Sequence, residues 1–432
     1  MFPVLMAGIF AGFPVAFSLM SVALVFGFAE FGFVAVFQFV SKVDDIASSN
    51  VFAAIPLFIF MGAMFEQSGI AERLFEALHM WTRKLPGGLA VGTVLMCVVF
   101  AAASGIIGAT ESVVGLLAIP VMMKYAYNKG LISGTICAGG SLGTIIPPSV
   151  LVVVMGPMAD VSVGDLFVGM LIPGLLLAGL YIIYIVARCT LRPEDGPRLA
   201  QTADDPPLGK KILITIEALV PPFILIVSVL GSIMFGLATP TEAAAVGAFG
   251  ALVLTIGYRS FTIAILKDTL IKTAKVTAMI MCITLGGAMF AGVFAASGGL
   301  IGTQNFLETV RFGGGATLAL VLFIIFIAGF VLEPISIILI VVPIAVPVLR
   351  GFDLDPVWFC VLFLVVMQTS FLTPPMAPSI FYLRGISPPE IRLHDMYRGV
   401  APFIVIQIIA LVLVIAFPQL ATWLPTKLLS GF

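Results

Sequence analysis

Two Pro-Pro pairs, Pro147-Pro148 and Pro374-Pro375, stand in apolar sequence behind short runs of Gly, Ser and Thr. The first run is Gly139-Gly140-Ser141-Leu142-Gly143-Thr144-Ile145-Ile146, and the second is Gln368-Thr369-Ser370-Phe371-Leu372-Thr373. Proline brings no N–H and blocks a helical bond, so each pair frees the carbonyls just before it. Freed carbonyls beside Ser and Thr hydroxyls are hard oxygen donors, which suit a hard cation. Two other segments look equally helix-breaking. One runs from Ala103-Ser104-Gly105 to Thr110-Glu111-Ser112, the other from Gly329 through Glu333-Pro334 to Ser336. Each carries one acid. A third acid in apolar context, Glu242, follows Thr239-Pro240-Thr241 and reads as part of a helix start.

The surroundings of these segments set what they can do. Residues of the set AVILMFWYC make up 61% of the 432 and charged residues 10%, against about 45–50% and about 25% in a soluble domain. Mean hydropathy is +1.20. A soluble enzyme, a nucleic-acid binder and a disordered chain are excluded, and a net charge of −1 leaves no basic face. Apolar stretches of about 20 residues, the length that crosses a bilayer, recur along the chain. The first, 3–29, lacks a basic leader and reads as a span. In a bilayer, backbone left out of helix must be buried in protein or line a cavity. A carboxyl there costs on the order of 2.5–3.5 kcal/mol. Glu111 and Glu333 are therefore expected to be ion-linked or helix-capping, with a satisfied structural hydrogen bond as the alternative. The five Cys form no CxxC pair and the two His, His79 and His394, stand apart, so no metal centre or catalytic constellation is legible. No phosphate-binding G-x-x-x-x-G-K-[ST] occurs, which excludes an ATP-driven pump.

The elements that position the four segments repeat. Pro14 matches Pro240, Gly62-Ala63-Met64-Phe65 matches Gly287-Ala288-Met289-Phe290, Gly87-Gly88 matches Gly313-Gly314, Pro120 matches Pro347, and the Pro-Pro pairs match each other, all at offsets of 225 to 227. This reads as two structural repeats, 1–226 and 227–432. Each holds a hairpin that enters and returns, 89–124 and 316–350, and a broken helix, 131–156 and 356–380. The expected fold is an all-α polytopic membrane protein, with the polar stretch 188–211 as a flexible cytoplasmic connector. Alternating the spans puts 17 of the 21 Lys and Arg on one side, which should be cytoplasmic. The N-terminus then lies inside, the C-terminus outside, and the two repeats are inverted, as in secondary transporters with a midplane site. A passive channel is the alternative; it would need a through-pore lined by charge or carbonyls.

Along its whole length the sequence resembles the large membrane subunit of tripartite ATP-independent periplasmic (TRAP) transporters. The resemblance is carried by Gly12-Phe13-Pro14-Val15-Ala16-Phe17, Ile55-Pro56-Leu57-Phe58-Ile59, Leu142-Gly143-Thr144-Ile145-Ile146-Pro147-Pro148-Ser149, Thr239-Pro240-Thr241-Glu242-Ala243-Ala244 and Leu372-Thr373-Pro374-Pro375. Two departures stand out. The family's first turn is commonly S-G-S where this chain has Ser104-Gly105-Ile106, and its second is usually D-P where this chain has Glu333-Pro334. The first turn is similar to a branch associated with 2-oxoacids and related organic acids.

The resemblance implies an elevator-type Na⁺ symporter of the bacterial inner membrane. A periplasmic binding protein would deliver a small organic acid, and a separate small four-helix membrane subunit would accompany this chain. It implies one Na⁺ on Ser104, Gly105, Gly143, Thr144 and Pro147. A second would sit on Gly329, Glu333, Thr369, Ser370 and Thr373. Substrate would lie near Ser104, Thr110 and Glu333. No organic cofactor and no enzymatic activity are expected.

Overall fold

Glycine and proline decide where helices stop in this chain, because the sequence between them is apolar almost throughout. The computed structural model describes residues 1–105, 107–198, 207–309 and 313–429. All regular structure among the described residues is helical. The first helices are α1 (Phe2–Phe10) and α2 (Val15–Phe31). The sequence suggests one span over 3–29; Gly12 takes φ +92° and Pro14 caps α2, so the segment is two helices. Next come α3 (Val34–Ala47), α4 (Ala54–Gln67) and α5 (Ile70–Thr82). The last two meet at a 65° bend, where Gly69 adopts φ +73°.

The first hairpin region is α6 (Gly88–Ser104) and α7 (Ile107–Lys124), packed on each other. It leads to α8 (Lys129–Ser141), a tight 3-10 turn over Leu142–Thr144, and α9 (Val150–Ala159). The helices α10 (Val163–Leu191), α11 (Leu208–Met234), α12 (Pro240–Gly257), α13 (Ile263–Ala296) and α14 (Gly299–Thr309) follow. The second hairpin region is α15 (Gly314–Ala328) and α16 (Pro334–Arg350), then α17 (Pro356–Leu372), α18 (Pro378–Ile386), α19 (Leu393–Ala416) and α20 (Gln419–Leu429). The starts of α6 to α9 precede those of α15 to α18 by 226 to 228 residues. The caps follow the same offset: Asn128 accepts from Gly130 and Leu131 N–H at the head of α8, and Asp355 accepts from Trp358 N–H at the head of α17.

Five helices, α10, α11, α12, α13 and α19, are long and apolar enough to cross a membrane, and α4 with α5 makes a sixth if the bent pair is one span. The chain is a multi-pass membrane protein. The sequence places a span at 276–297, yet α13 begins at Ile263. At 1.5 Å per residue its 34 residues reach roughly 50 Å, beyond a hydrocarbon core of about 30 Å. The extra turns carry Lys267, Lys272 and Lys275, and Lys272 pairs with Glu66 of α4. Glu242 closes a reciprocal cap on α12, with Thr239 N–H donating to its carboxylate and its own N–H donating to Thr239 Oγ1.

The broken helices lie innermost. Every residue of α8 from Leu131 to Ser141 and of α17 from Trp358 to Leu372 is buried. Around them α7 packs on α18 and α16 packs on α9, so the second arm of each hairpin rests on the broken helix of the other half. The connector leaves α10 along this core. Arg188 pairs with Asp195 at 2.9 Å. Gly87 N–H donates to Gly196 O, Asn128 N–H to Asp195 O and Tyr127 Oη to Pro197 O. Residues 195–197 are thus pinned to the foot of the first hairpin.

Candidate functional site

At the first break, Thr144 Oγ1 donates to Ser141 O at 2.9 Å, and Ile145 and Ile146 N–H both donate to Leu142 O. Pro147 and Pro148, joined by a cis peptide, bring no N–H to the Gly143 and Thr144 carbonyls four residues back. The turn packs on α6. Gly105 ends α6 at φ +59°. A Cβ there would stand 2.9 Å from the Pro148 carbonyl oxygen, so only glycine lets the turn settle on that carbonyl. Gly105, Gly143, Thr144 and Pro147 are brought into one neighbourhood. Ile106 and the Ser104 side chain lie outside the described residues.

At the second break, Thr369 Oγ1 donates to Val365 O, Ser370 Oγ to Phe326 O at 3.0 Å, and Thr373 Oγ1 to Thr369 O at 2.6 Å. Thr373 N–H also donates to Thr369 O and Ser370 O. Gly329, which ends α15, rests on Ser370: a Cβ at Gly329 would stand 2.7 Å from its Oγ. Glu333 stands at the N-cap position of α16 ahead of Pro334, without a side-chain bond to the helix N–H groups, and accepts from Ser336 Oγ at 3.3 Å. The two breaks differ in cover. Pro147 and Pro148 are buried, whereas Pro374 and Pro375 are exposed.

A cavity of about 530 Å³ opens between the two hairpin turns. Gly105 lines it from one side, Gly329 and Glu333 from the other. The first residues of α9, α16 and α18, which are Val150, Pro334 and Pro378, are on its wall, as is Gly108 in the first turn of α7. Four helix N-termini therefore converge on one space. Each carries unpaired N–H groups and roughly half a positive charge. Ile59 of α4 and Val276, Met279 and Ile280 of α13 close the remaining side with apolar surface. Glu333 is the one charged residue among the described lining residues. Of the residues expected to hold substrate, Glu333 is on the cavity. Thr110 is fully buried and off its wall.

Sequence reasoning missed a central contact: Gln368 Nε2 donates to Ser141 O at 2.8 Å, joining α17 to α8. It also missed that α9 and α18 begin at the same cavity. The Pro-Pro pairs signal that a helix restarts beyond each break, but not that the two restarts meet at one cavity.

The family described as "Tripartite ATP-independent periplasmic transporter, DctM component" matches residues 2–420, and the chain belongs to it. Its members are transporter permease subunits, not enzymes. The chain is 31% identical over 390 residues to a C4-dicarboxylate TRAP transporter large permease protein DctM of Pseudomonas aeruginosa, covering 90% of this chain and 89% of that one. It is 29% identical over 427 residues to a sialic acid TRAP transporter large permease protein SiaM of Vibrio cholerae, covering 98% and 97%. The fold is similar to that of the YdaH transporter of Alcanivorax borkumensis, with a TM-score of 0.70 at 14% identity over 94% of this chain and 98% of that one.

Proposed function

We propose that this chain is the substrate-translocating subunit of a Na⁺-coupled uptake system for a small organic acid. The observation that carries this reading is the convergence of the α7, α9, α16 and α18 starts on one cavity. A cavity of about 530 Å³ suits a small ligand. With no Lys or Arg among the described lining residues, a carboxylate would be met by helix N-termini and by Na⁺ held at the two turns. One Na⁺ would use oxygens of Ser104, Gly105, Gly143, Thr144 and Pro147, the other those of Gly329, Glu333, Thr369, Ser370 and Thr373. Relatives named for C4-dicarboxylate and sialic acid support an organic acid, such as a dicarboxylate or 2-oxoacid.

The two hairpins and two broken helices, α6 to α9 and α15 to α18, would move as one body along α4 and α13. The apolar wall supplied by Ile59, Val276, Met279 and Ile280 favours such sliding, because it holds substrate by no directional bond. The recurrence of helix starts at offsets of 226 to 228 supports two inverted repeats, hence re-entrant turns opening to opposite faces. In a tripartite system the partners would be a small membrane subunit and a periplasmic binding protein. The site would be the inner membrane, with the N-terminus cytoplasmic and the C-terminus periplasmic.

The test is uptake of a labelled C4-dicarboxylate into proteoliposomes holding this chain and its small subunit, with and without a loaded binding protein. Uptake that requires the loaded binding protein supports the reading. Binding-protein-independent flux of many small ions would point to a channel instead.

A further inference from the structure

Glu111 lies on α7, off the cavity wall and outside both proposed Na⁺ ligand sets. Its side chain is fully buried, and neither carboxyl oxygen has a hydrogen-bond partner among the described residues. Its methylene presses on Gly140 of α8, where any Cβ would collide with it. Ser379 of α18 turns its hydroxyl toward the carboxyl without closing a hydrogen bond. The titratable groups that face it are Cys97 from α6, Cys137 from α8 and Tyr382 from α18. The α5 helix and the Leu142–Thr144 turn, which also pack on α7, place no hydrogen-bonding atom on it.

The seam is shaped for close approach. Gly108 and Gly115 flank Glu111 on one face of α7; a Cβ on Gly108 would meet the Tyr382 ring, and one on Gly115 the Ile386 side chain. The opposite seam, α16 on α9, is closed differently. Glu111 advanced by 227, the offset of Pro120 and Pro347 on the same two helices, falls on Ile338, and Ser379 moved back by 227 falls on Val152. Both are buried apolar residues. Packing alone therefore does not require an acid and a hydroxyl here.

A buried carboxylate with no donor and no counter-charge has to be neutralised. A hard cation would want a shell of oxygens, and the described neighbours are the Ser379 and Tyr382 hydroxyls, two thiols and a glycine. A proton needs no shell, and a carboxylic acid can donate to the Ser379 side chain. We propose that Glu111 is a proton-binding site, occupied while α7 and α18 are closed on each other and exchanged with water when that seam opens. The exchange is a simple acid ionisation: the O–H bond breaks, water takes the proton, and the carboxylate remains. Occupancy needs no transport; exchange during the cycle rests on the transport reading above.

Infrared difference spectra of the full chain in lipid nanodiscs, taken between neutral and alkaline pH, where ordinary carboxyls stay ionised, test occupancy. Wild type should display a protonated-carboxyl C=O band that titrates away, missing in Glu111→Gln and retained in Glu333→Gln. Persistence of the band in Glu111→Gln, or its removal by Na⁺ at fixed pH, would overturn the assignment. Should Glu111→Gln fold poorly, the pair Glu111→Ile with Ser379→Val copies the opposite seam and should lack the band in a stable protein. In proteoliposomes, these variants should lose the pH dependence of uptake that wild type has; an unchanged pH profile would overturn the role in the cycle. If no form transports while the band still depends on Glu111, the proton site stands and the transport reading falls.

Discussion

Gln368 Nε2 donates to the Ser141 carbonyl at 2.8 Å, and the two residues stand 227 apart in the chain. That separation is the offset which relates the Pro-Pro pairs. The bond thus joins two positions that the sequence offset pairs with each other. Ser141 is the node of a small network: Thr144 Oγ1 donates to its carbonyl, and Gln407 Nε2 of α19 reaches its Oγ at 3.5 Å. The buried helices α8 and α17 are thereby joined about one turn from each break.

The contact predicts unequal effects of two substitutions. Gln368→Leu removes one neutral hydrogen bond from a carbonyl that keeps Thr144, and should cost no more than about 1.5 kcal/mol. Gln368→Glu sets a carboxylate against that carbonyl in a buried place and should cost more, about 3 kcal/mol or above. Thermal unfolding in detergent measures both. Equal midpoints for the two variants would contradict the contact.

Gly329 is predicted to be irreplaceable while Ser370 keeps its side chain. A methyl at Gly329 would overlap Ser370, and overpacking of this kind costs about 1–3 kcal/mol. Gly329→Ala should lower stability and uptake together, and adding Ser370→Gly should restore both in part. Gly179→Ala on α10, where nothing lies within 4 Å of the new Cβ, should be neutral or gain up to about 1 kcal/mol. Equal losses at the two glycines would refute the fit of turn to break.

The positions of the helix ends are legible in the sequence, because a missing N–H or a positive φ acts within a few residues. Gly105, Pro147, Gly329 and Pro374 all stop helices where the sequence says. The break at Gly12 and the bend at Gly69 are less legible, since a single glycine in apolar sequence is as often packed inside a helix. The full length of α13 is hidden by its lysines, which read as loop but extend a helix out of the apolar layer. The meeting of Gln368 with Ser141, the four helix starts at one cavity and the burial of Glu111 depend on which helices become neighbours, and no local pattern encodes that.

Na⁺ dependence should separate ion ligands from structural hydroxyls. Thr373 Oγ1 donates to Thr369 O, which leaves its lone pairs free to face a cation. Thr373→Ala and Ser104→Ala should each raise the Na⁺ concentration for half-maximal uptake by about tenfold, or about 1.4 kcal/mol. Ser21→Ala and Thr317→Ala, away from both breaks, should leave it unchanged. Wild-type Na⁺ curves in folded Thr373→Ala and Ser104→Ala proteins would remove both side chains from the ion sites.

Orientation is checked with single cysteines. Cys282 is the one exposed cysteine of the five, so Cys282→Ala provides a quiet background. Glu194→Cys, in the connector, should be protected from an impermeant thiol reagent in intact cells, and Ile301→Cys, on α14, should be labelled. Both residues are exposed. The reverse pattern would turn the molecule over and exchange the faces to which the two hairpins open.

Na⁺-gradient-driven uptake is the most direct measurement of the account. Proteoliposomes carrying this chain and its small subunit, supplied with a binding protein loaded with a labelled organic acid, are compared under an inward Na⁺ gradient and under equal Na⁺ on both sides. Coupled transport predicts accumulation above the external concentration with the gradient, and mere equilibration without it. Accumulation that ignores the Na⁺ gradient, or equilibration alone under both conditions, would contradict Na⁺ coupling through the two turns.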